Sequence, residues 1–128
     1  MTHELEILPD AGAVATRGAE LVVETARAAI DARGSCSLAL SGGTTPWAMF
    51  GRLREASLPW ERTVVFQVDE RIAPDGDEAR NLVRLRTALT GVPADVRPMP
   101  VTEPDLEGAA ARYAGSLPER LDLVHLGL

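Results

Sequence analysis

Two short runs in this chain combine residue types that can bind an anion and act on it: Ser41-Gly42-Gly43-Thr44, and Asp69-Glu70-Arg71. In the first, two glycines without a Cβ let the backbone take positive φ and bring its N–H groups close to a ligand, as in loops that cradle phosphate. Pro46 suits the first turn of a following helix, where its missing N–H costs nothing. The positive end of that helix's dipole would aim at the same anion. In the second run Arg71 offers a planar, permanently charged fork for phosphate, while Asp69 can orient that arginine, orient a catalytic base or hold a substrate hydroxyl. Glu70 is expected to face away. Each run also has a plain structural reading: a strand-to-helix connection for the glycines, and a solvated charge cluster at a strand end for Asp69 to Arg71.

The rest of the sequence narrows the chemistry. No Gly-x-x-x-x-Gly-Lys pattern and no three-glycine dinucleotide spacing occurs, so the loop does not match a nucleotide site. No Gly-x-Ser-x-Gly elbow is present, which makes Ser41 a hydrogen-bonding loop residue rather than a nucleophile. No His, Asp and Glu spacing matches a metal site, and no metal is expected. All 13 basic residues are arginine, which excludes a lysine Schiff base and a lysine phosphate clamp from this chain. A net charge of −6 repels polyanions, arguing against nucleic acid and for a small substrate held in a locally positive site. Cys36 is the sole cysteine, so no internal disulfide forms; between Ser35 and Ser37 it reads as a small buried thiol rather than a reactive one. His125, inside an apolar run, reads as a core histidine, with a catalytic role as the alternative. Trp47 and Trp60 read as packing helices onto a sheet, with sugar stacking as the alternative. The Met-Thr-His-Glu-Leu-Glu start carries no basic leader and no window is long and apolar enough to span a membrane, so a soluble, cytoplasmic protein without a membrane partner is expected.

These groups must be held by a scaffold, and 128 residues with 45% hydrophobic content suffice for one α/β domain over residues 1–128. The pattern alternates between strands and helices, predicting an open parallel, Rossmann-like sheet with helices on both faces. A first strand is expected at Leu5 to Leu8. A helix should follow from Pro9-Asp10 to a C-terminal Gly34, burying Val14, Leu21, Val22, Ala29 and Ile30. Cys36 to Leu40 is a second strand, Trp47 to Ala56 a helix, and Thr63 to Val68 a third strand beyond the break at Leu58-Pro59-Trp60. Ile72 to Arg80 reads as a surface loop. Asn81 can cap a helix through Leu89, Val96 to Met99 suits a short strand, and Asp105 opens a helix to Leu117. Leu121 to Leu128 reads as a buried strand ending as a glycine turn begins, so the sheet is expected to be truncated after it, the chain being the N-terminal part of a larger protein. In such sheets ligands bind beyond the carboxyl ends of the strands, which brings both runs to one edge.

With these residues in place, Leu40-Ser41-Gly42-Gly43-Thr44-Thr45-Pro46 and Trp60-Glu-Arg-Thr-Val-Val-Phe-Gln-Val-Asp-Glu-Arg71 resemble the 6-phosphogluconolactonases. The related glucosamine-6-phosphate deaminases share the glycine turn but typically carry Asp-Glu-Tyr where this chain has Asp69-Glu70-Arg71. The resemblance implies hydrolysis of 6-phosphoglucono-δ-lactone to 6-phosphogluconate in the oxidative pentose phosphate pathway, with no cofactor. It implies that Ser41, Gly42, Gly43, Thr44, Arg71 and Asn81 bind substrate and that Asp69 and Arg71 serve the catalytic group. Leu121 to Leu128 is similar to the family strand that leads into a Gly-x-Asp-Gly-His-Thr segment, whose histidine, the expected base, lies beyond Leu128. Val68 stands where the family often has glycine, and Ala79-Arg80-Asn81 replaces a segment ending in Ser-Asn. A deaminase-like phosphosugar isomerase and a non-catalytic sugar-phosphate-binding fragment are the alternatives. The open face of such a fragment would call for a partner, either the missing half or a second copy of the chain.

Overall fold

The computed structural model describes residues 2–127. Helix α1, Ala11–Arg33, begins where the Asp10 carboxylate accepts the Ala13 N–H at 2.7 Å. It ends at Gly34, whose φ of 80° is left-handed and whose N–H returns to the Ile30 carbonyl, so both termini follow the sequence signals. The buried stripe differs. Ala15, Ala19, Val22, Ala26 and Ala29 face the core, whereas Val14 and Leu21 are 43% and 41% exposed and Ile30 is half-buried. The reason is the close approach of the next helix, α2 (Thr44–Glu55). A Cβ on Gly18 of α1 would sit 2.8 Å from the Met49 sulfur of α2, and only a stripe of small side chains allows such a crossing.

Strands β1 (Cys36–Leu40), β2 (Thr63–Gln67), β3 (Asp95–Arg97) and β4 (Leu123–Val124) form one sheet in the order β3-β2-β1-β4. All pairs are parallel, with Cys36 opposite Thr63, Val64 opposite Asp95 and Leu38 opposite Leu123. Alternation along the strands splits the side chains between two faces. Leu38, Leu40 and Val65 join Phe50 and Leu53 of α2, the α1 stripe and Leu85 from α3 (Asn81–Ala88) in the main core. Phe66 points the other way and meets Tyr113 of α4 (Leu106–Ser116) edge-on at 6.2 Å. Helices therefore lie on both faces, as the alternating pattern predicts. Asp105 caps α4 by accepting the Gly108 N–H at 3.0 Å, Trp60 is buried in a 3-10 turn, and Cys36 is a buried thiol.

Several boundaries need correction. Leu5 to Leu8 is not a strand: Leu5 and Ile7 are 86% and 87% exposed, and the segment, which pairs with no strand of the sheet, is tied instead through Glu6 to Arg17 of α1. α2 starts before Trp47, at Thr44, because Gly43 turns the chain directly into the helix. β3 begins at Asp95 and stops at Arg97. The buried strand expected over Leu121 to Leu128 is two residues long and forms a sheet edge; among the described residues nothing closes over Val124 or Leu126, which are 51% and 65% exposed. No helix among the described residues is long and apolar enough to cross a membrane.

Candidate functional site

The chain passes from β1 outward to β2 and β3, then returns to place β4 on the other side of β1. The strand order thus reverses beside β1, and in open α/β sheets ligands bind in the crevice beyond the carboxyl ends of the strands at such a reversal. Ser41 to Gly43 follows β1, Asp69 to Arg71 follows β2, and His125 to Gly127 follows β4.

Gly43 precedes α2 at φ 130° and ψ 172°, a region open essentially to glycine. It provides no side chain to cap the helix, leaving the first-turn amides available to a ligand. Gly42 is different from the expectation: its φ is not positive, and the lack of a side chain matters for space. A Cβ there would lie 2.7 Å from Asn81 Oδ1 and 2.9 Å from Trp47 Cζ2. Ser41 is buried, and its hydroxyl donates to Asp69 Oδ1 at 3.4 Å. Asn81 Nδ2 lies 3.5 Å from the same carboxylate oxygen. Asp69 is thereby joined to Ser41 and Asn81, not to Arg71. Thr44 and Arg71 are exposed, and among the described residues the Arg71 guanidinium has no ion pair, leaving a cation at the edge of the crevice.

Glu70 does not face away. Its side chain is fully buried, and its carboxylate accepts the N–H groups of Arg71 and Asn81 at 2.7 Å each, that of Leu82 at 3.0 Å and Gln67 Nε2 at 3.0 Å. Arg80 Nε lies 3.0 Å from it. Burial pushes the Glu70 carboxyl up, but the hydrogen bonds from Gln67, Arg71, Arg80 and Leu82 outweigh it and hold the group at about 2. Asn81 is consequently the first residue of α3, not its cap; Glu70 satisfies the orphan amides from the preceding strand's end. Arg80, expected in a surface loop, is 2% exposed, and also reaches Asp75 and the Ala73 carbonyl.

His125 also lies elsewhere than in the core. Just past β4, it is half-buried, its Nδ1 accepts the Ser41 N–H at 3.3 Å, and its ring meets Phe50 at 6.3 Å. A Cβ on Gly127 would come within 3.0 Å of the Gly42 carbonyl oxygen, so this turn is pressed against the glycine loop. Sequence reasoning passed over Glu70, Arg80 and Gly127 as parts of the site; the turn residues around Gly127 were a signal, whereas the Glu70 contacts depend on where α3 docks. A cavity of about 600 Å³ opens at the opposite sheet edge, beside Arg33, Arg97 and Arg120, but Arg33 and Arg97 are already paired with Asp122 and Asp95. Among the described residues no cluster of three His, Cys, Asp or Glu side chains could hold a metal ion.

A glycine turn leading into a helix, a carboxylate and an amide side chain meet at the carboxyl edge of a parallel sheet, with an exposed arginine two residues past the carboxylate; α/β proteins commonly receive small polar ligands at such an edge. The chain belongs to the family of Glucosamine-6-phosphate isomerases/6-phosphogluconolactonase, whose pattern matches residues 9–128. It is 36% identical over 134 residues to a 6-phosphogluconolactonase of Rhizobium meliloti (strain 1021), covering all of this chain and 58% of that protein. It is 32% identical over 118 residues to a 6-phosphogluconolactonase of Nostoc sp., covering 88% of this chain and 49% of the relative. The crystal structure of a 6-phosphogluconolactonase from Shewanella baltica superposes with a TM-score of 0.83 at 27% identity, covering 91% of this chain and 53% of that one. The chain spans about half the length of the curated relatives it matches.

Proposed function

We propose that this chain supplies the sugar-phosphate-binding side of a 6-phosphogluconolactonase site, and that the intact protein hydrolyses 6-phosphoglucono-δ-lactone to 6-phosphogluconate. The carrying observation is the convergence of the Ser41–Gly43 loop, Asp69 and Asn81 at the crevice beside β1. The α2 amides and the Arg71 guanidinium would hold the phosphate, with charge-assisted hydrogen bonds suited to a group that is largely dianionic at pH 7. Asp69, fixed by Ser41 and Asn81, would accept sugar hydroxyls or orient the catalytic group.

In the reaction a water oxygen bonds to the lactone carbonyl carbon as a base removes its proton. The carbonyl oxygen takes up the negative charge, and collapse breaks the ring C–O bond with a proton delivered to the departing oxygen. The base would be the histidine that the family resemblance puts beyond Leu128. His125 is poorly suited to that task, since its Nδ1 already accepts the Ser41 N–H. Arg71 in place of the deaminases' tyrosine favours the lactonase over a phosphosugar isomerase. We place the reaction in the cytoplasm and without a metal or organic cofactor.

The test is a lactonase assay of the intact protein on enzymatically generated lactone, with spontaneous hydrolysis subtracted. Enzyme-dependent opening of the lactone is expected; turnover of glucosamine-6-phosphate in its place would contradict the assignment.

A further inference from the structure

We infer that His125 is a positioning residue for the glycine loop: its Nδ1 accepts the Ser41 N–H, which ties β4 to the first residue of the loop and keeps the imidazole proton on Nε2. This rests on the reading of Ser41 to Gly43 as the phosphate cradle. β4 has two residues, so few ladder bonds hold it to β1. The Asp122 N–H donates to the Ser37 carbonyl and the His125 N–H to the Ala39 carbonyl, both at 2.9 Å. Side chains of β4's flanking residues take a further N–H at each end of β1: Asp122 Oδ2 accepts from Ser37 at 2.8 Å, and His125 Nδ1 from Ser41 at 3.3 Å.

The two acceptors differ in a way that suits their positions. A carboxylate closes the amino end, whereas a neutral ring closes the carboxyl end, so that no second carboxylate joins Asp69 against an incoming phosphate. An aliphatic residue at 125 would leave a buried N–H unpaired, because Ser41 is only 8% exposed. Neutrality is favoured by the site itself: burial lowers the His125 pKa and is the sole cause, with no charged side chain of any element contributing. The ring meets Ser41 just past β1 and Phe50 from α2, and among the described residues Asp69 after β2 is linked to it through Ser41. Protonation would put an N–H on Nδ1, facing the N–H of Ser41, so the contact would turn from attraction to repulsion and release the loop.

The experiment has a ligand-free arm and a ligand arm, both on the intact protein. Nitrogen NMR of the imidazole should find His125 neutral at pH 7 with its proton on Nε2; a proton on Nδ1 overturns the proposal. Binding of inorganic phosphate at fixed pH is then compared among the unsubstituted protein, His125→Ala and His125→Asn, whose Oδ1 can occupy the place of Nδ1. His125→Ala should weaken binding about fivefold, as for one lost hydrogen bond, and His125→Asn should restore most of it. With inorganic sulfate as a probe of constant charge, binding to the unsubstituted protein should fall as pH drops beneath the ordinary imidazole value of 6.5 and the ring takes up its proton, while that of His125→Asn stays level. Binding that ignores His125→Ala overturns this proposal alone, and absence of phosphate binding to the unsubstituted protein overturns the cradle reading with it.

Discussion

Glu70 at the end of β2 holds Asn81 at the start of α3: its Oε1 lies 2.7 Å from the Asn81 backbone nitrogen. Because Asn81 also shapes the space beside Gly42, the capping carboxylate sets the wall of the crevice without itself lining it. Arg80 pairs with Glu70 at 3.0 Å, the two side chains being 3% and 0% exposed. Removing one member of a buried pair leaves the other uncompensated, so Glu70→Ala should lower the unfolding free energy by about 3 kcal/mol or more. Equilibrium urea denaturation measures it; a loss under about 1 kcal/mol would reduce the pair to a surface-like contact.

Acid should act through the same group. The folded-state pKa of Glu70, about 2, lies below its ordinary value of 4.5, so the stabilisation is fully present above pH 4.5 and is lost as pH falls toward 2. Urea midpoints taken between pH 5 and 2 should decline for the unsubstituted protein, and the decline should be shallower in Glu70→Gln. Parallel curves would show that other carboxylates govern acid unfolding.

The two glycines should fail in different ways. Gly43→Ala places a Cβ at φ 130° and should cost about 1–3 kcal/mol of stability. Gly42→Ala collides with Asn81 Oδ1 and Trp47 Cζ2, so it should displace Asn81 and raise KM for the lactone. Calorimetric melting and steady-state kinetics separate the outcomes, and kinetics unchanged in Gly42→Ala would contradict the close approach.

Arg71→Ala should weaken kcat/KM of the intact protein by about 2 kcal/mol, the scale of a charged hydrogen bond left unmade, with little change in melting temperature because the side chain is exposed. Equal kinetics for the two proteins would make Arg71 a surface charge.

How far the sequence foretold this arrangement depends on the range of the interactions. Asp10, Gly34 and Asp105 announce helix ends because a cap acts over one turn, and the runs Cys36 to Leu40 and Thr63 to Val68 declare themselves as apolar stretches between turn residues, the second strand stopping one residue short at Gln67. The shared edge of Ser41 and Asp69 followed from parallel strands alone. The burial of Glu70 is not legible locally, because the helix amides it caps lie more than ten positions away, at Asn81 and Leu82, and no local pattern reveals which helix end a carboxylate will meet. Val14 and Leu21 look like core residues by type, yet the close α1–α2 crossing selects alanines and leaves these larger side chains outside, and Leu5 and Ile7 are exposed because their segment does not join the sheet.

The most direct test of the central claim is a titration of nitrogen-labelled protein with 6-phosphogluconate, following each backbone amide. The largest shifts should fall at Ser41 to Thr45, Asp69 to Arg71 and Asn81, the residues converging beside β1. Shifts confined to the opposite edge, around Arg33, Arg97 and Arg120, with the glycine loop silent, would contradict it.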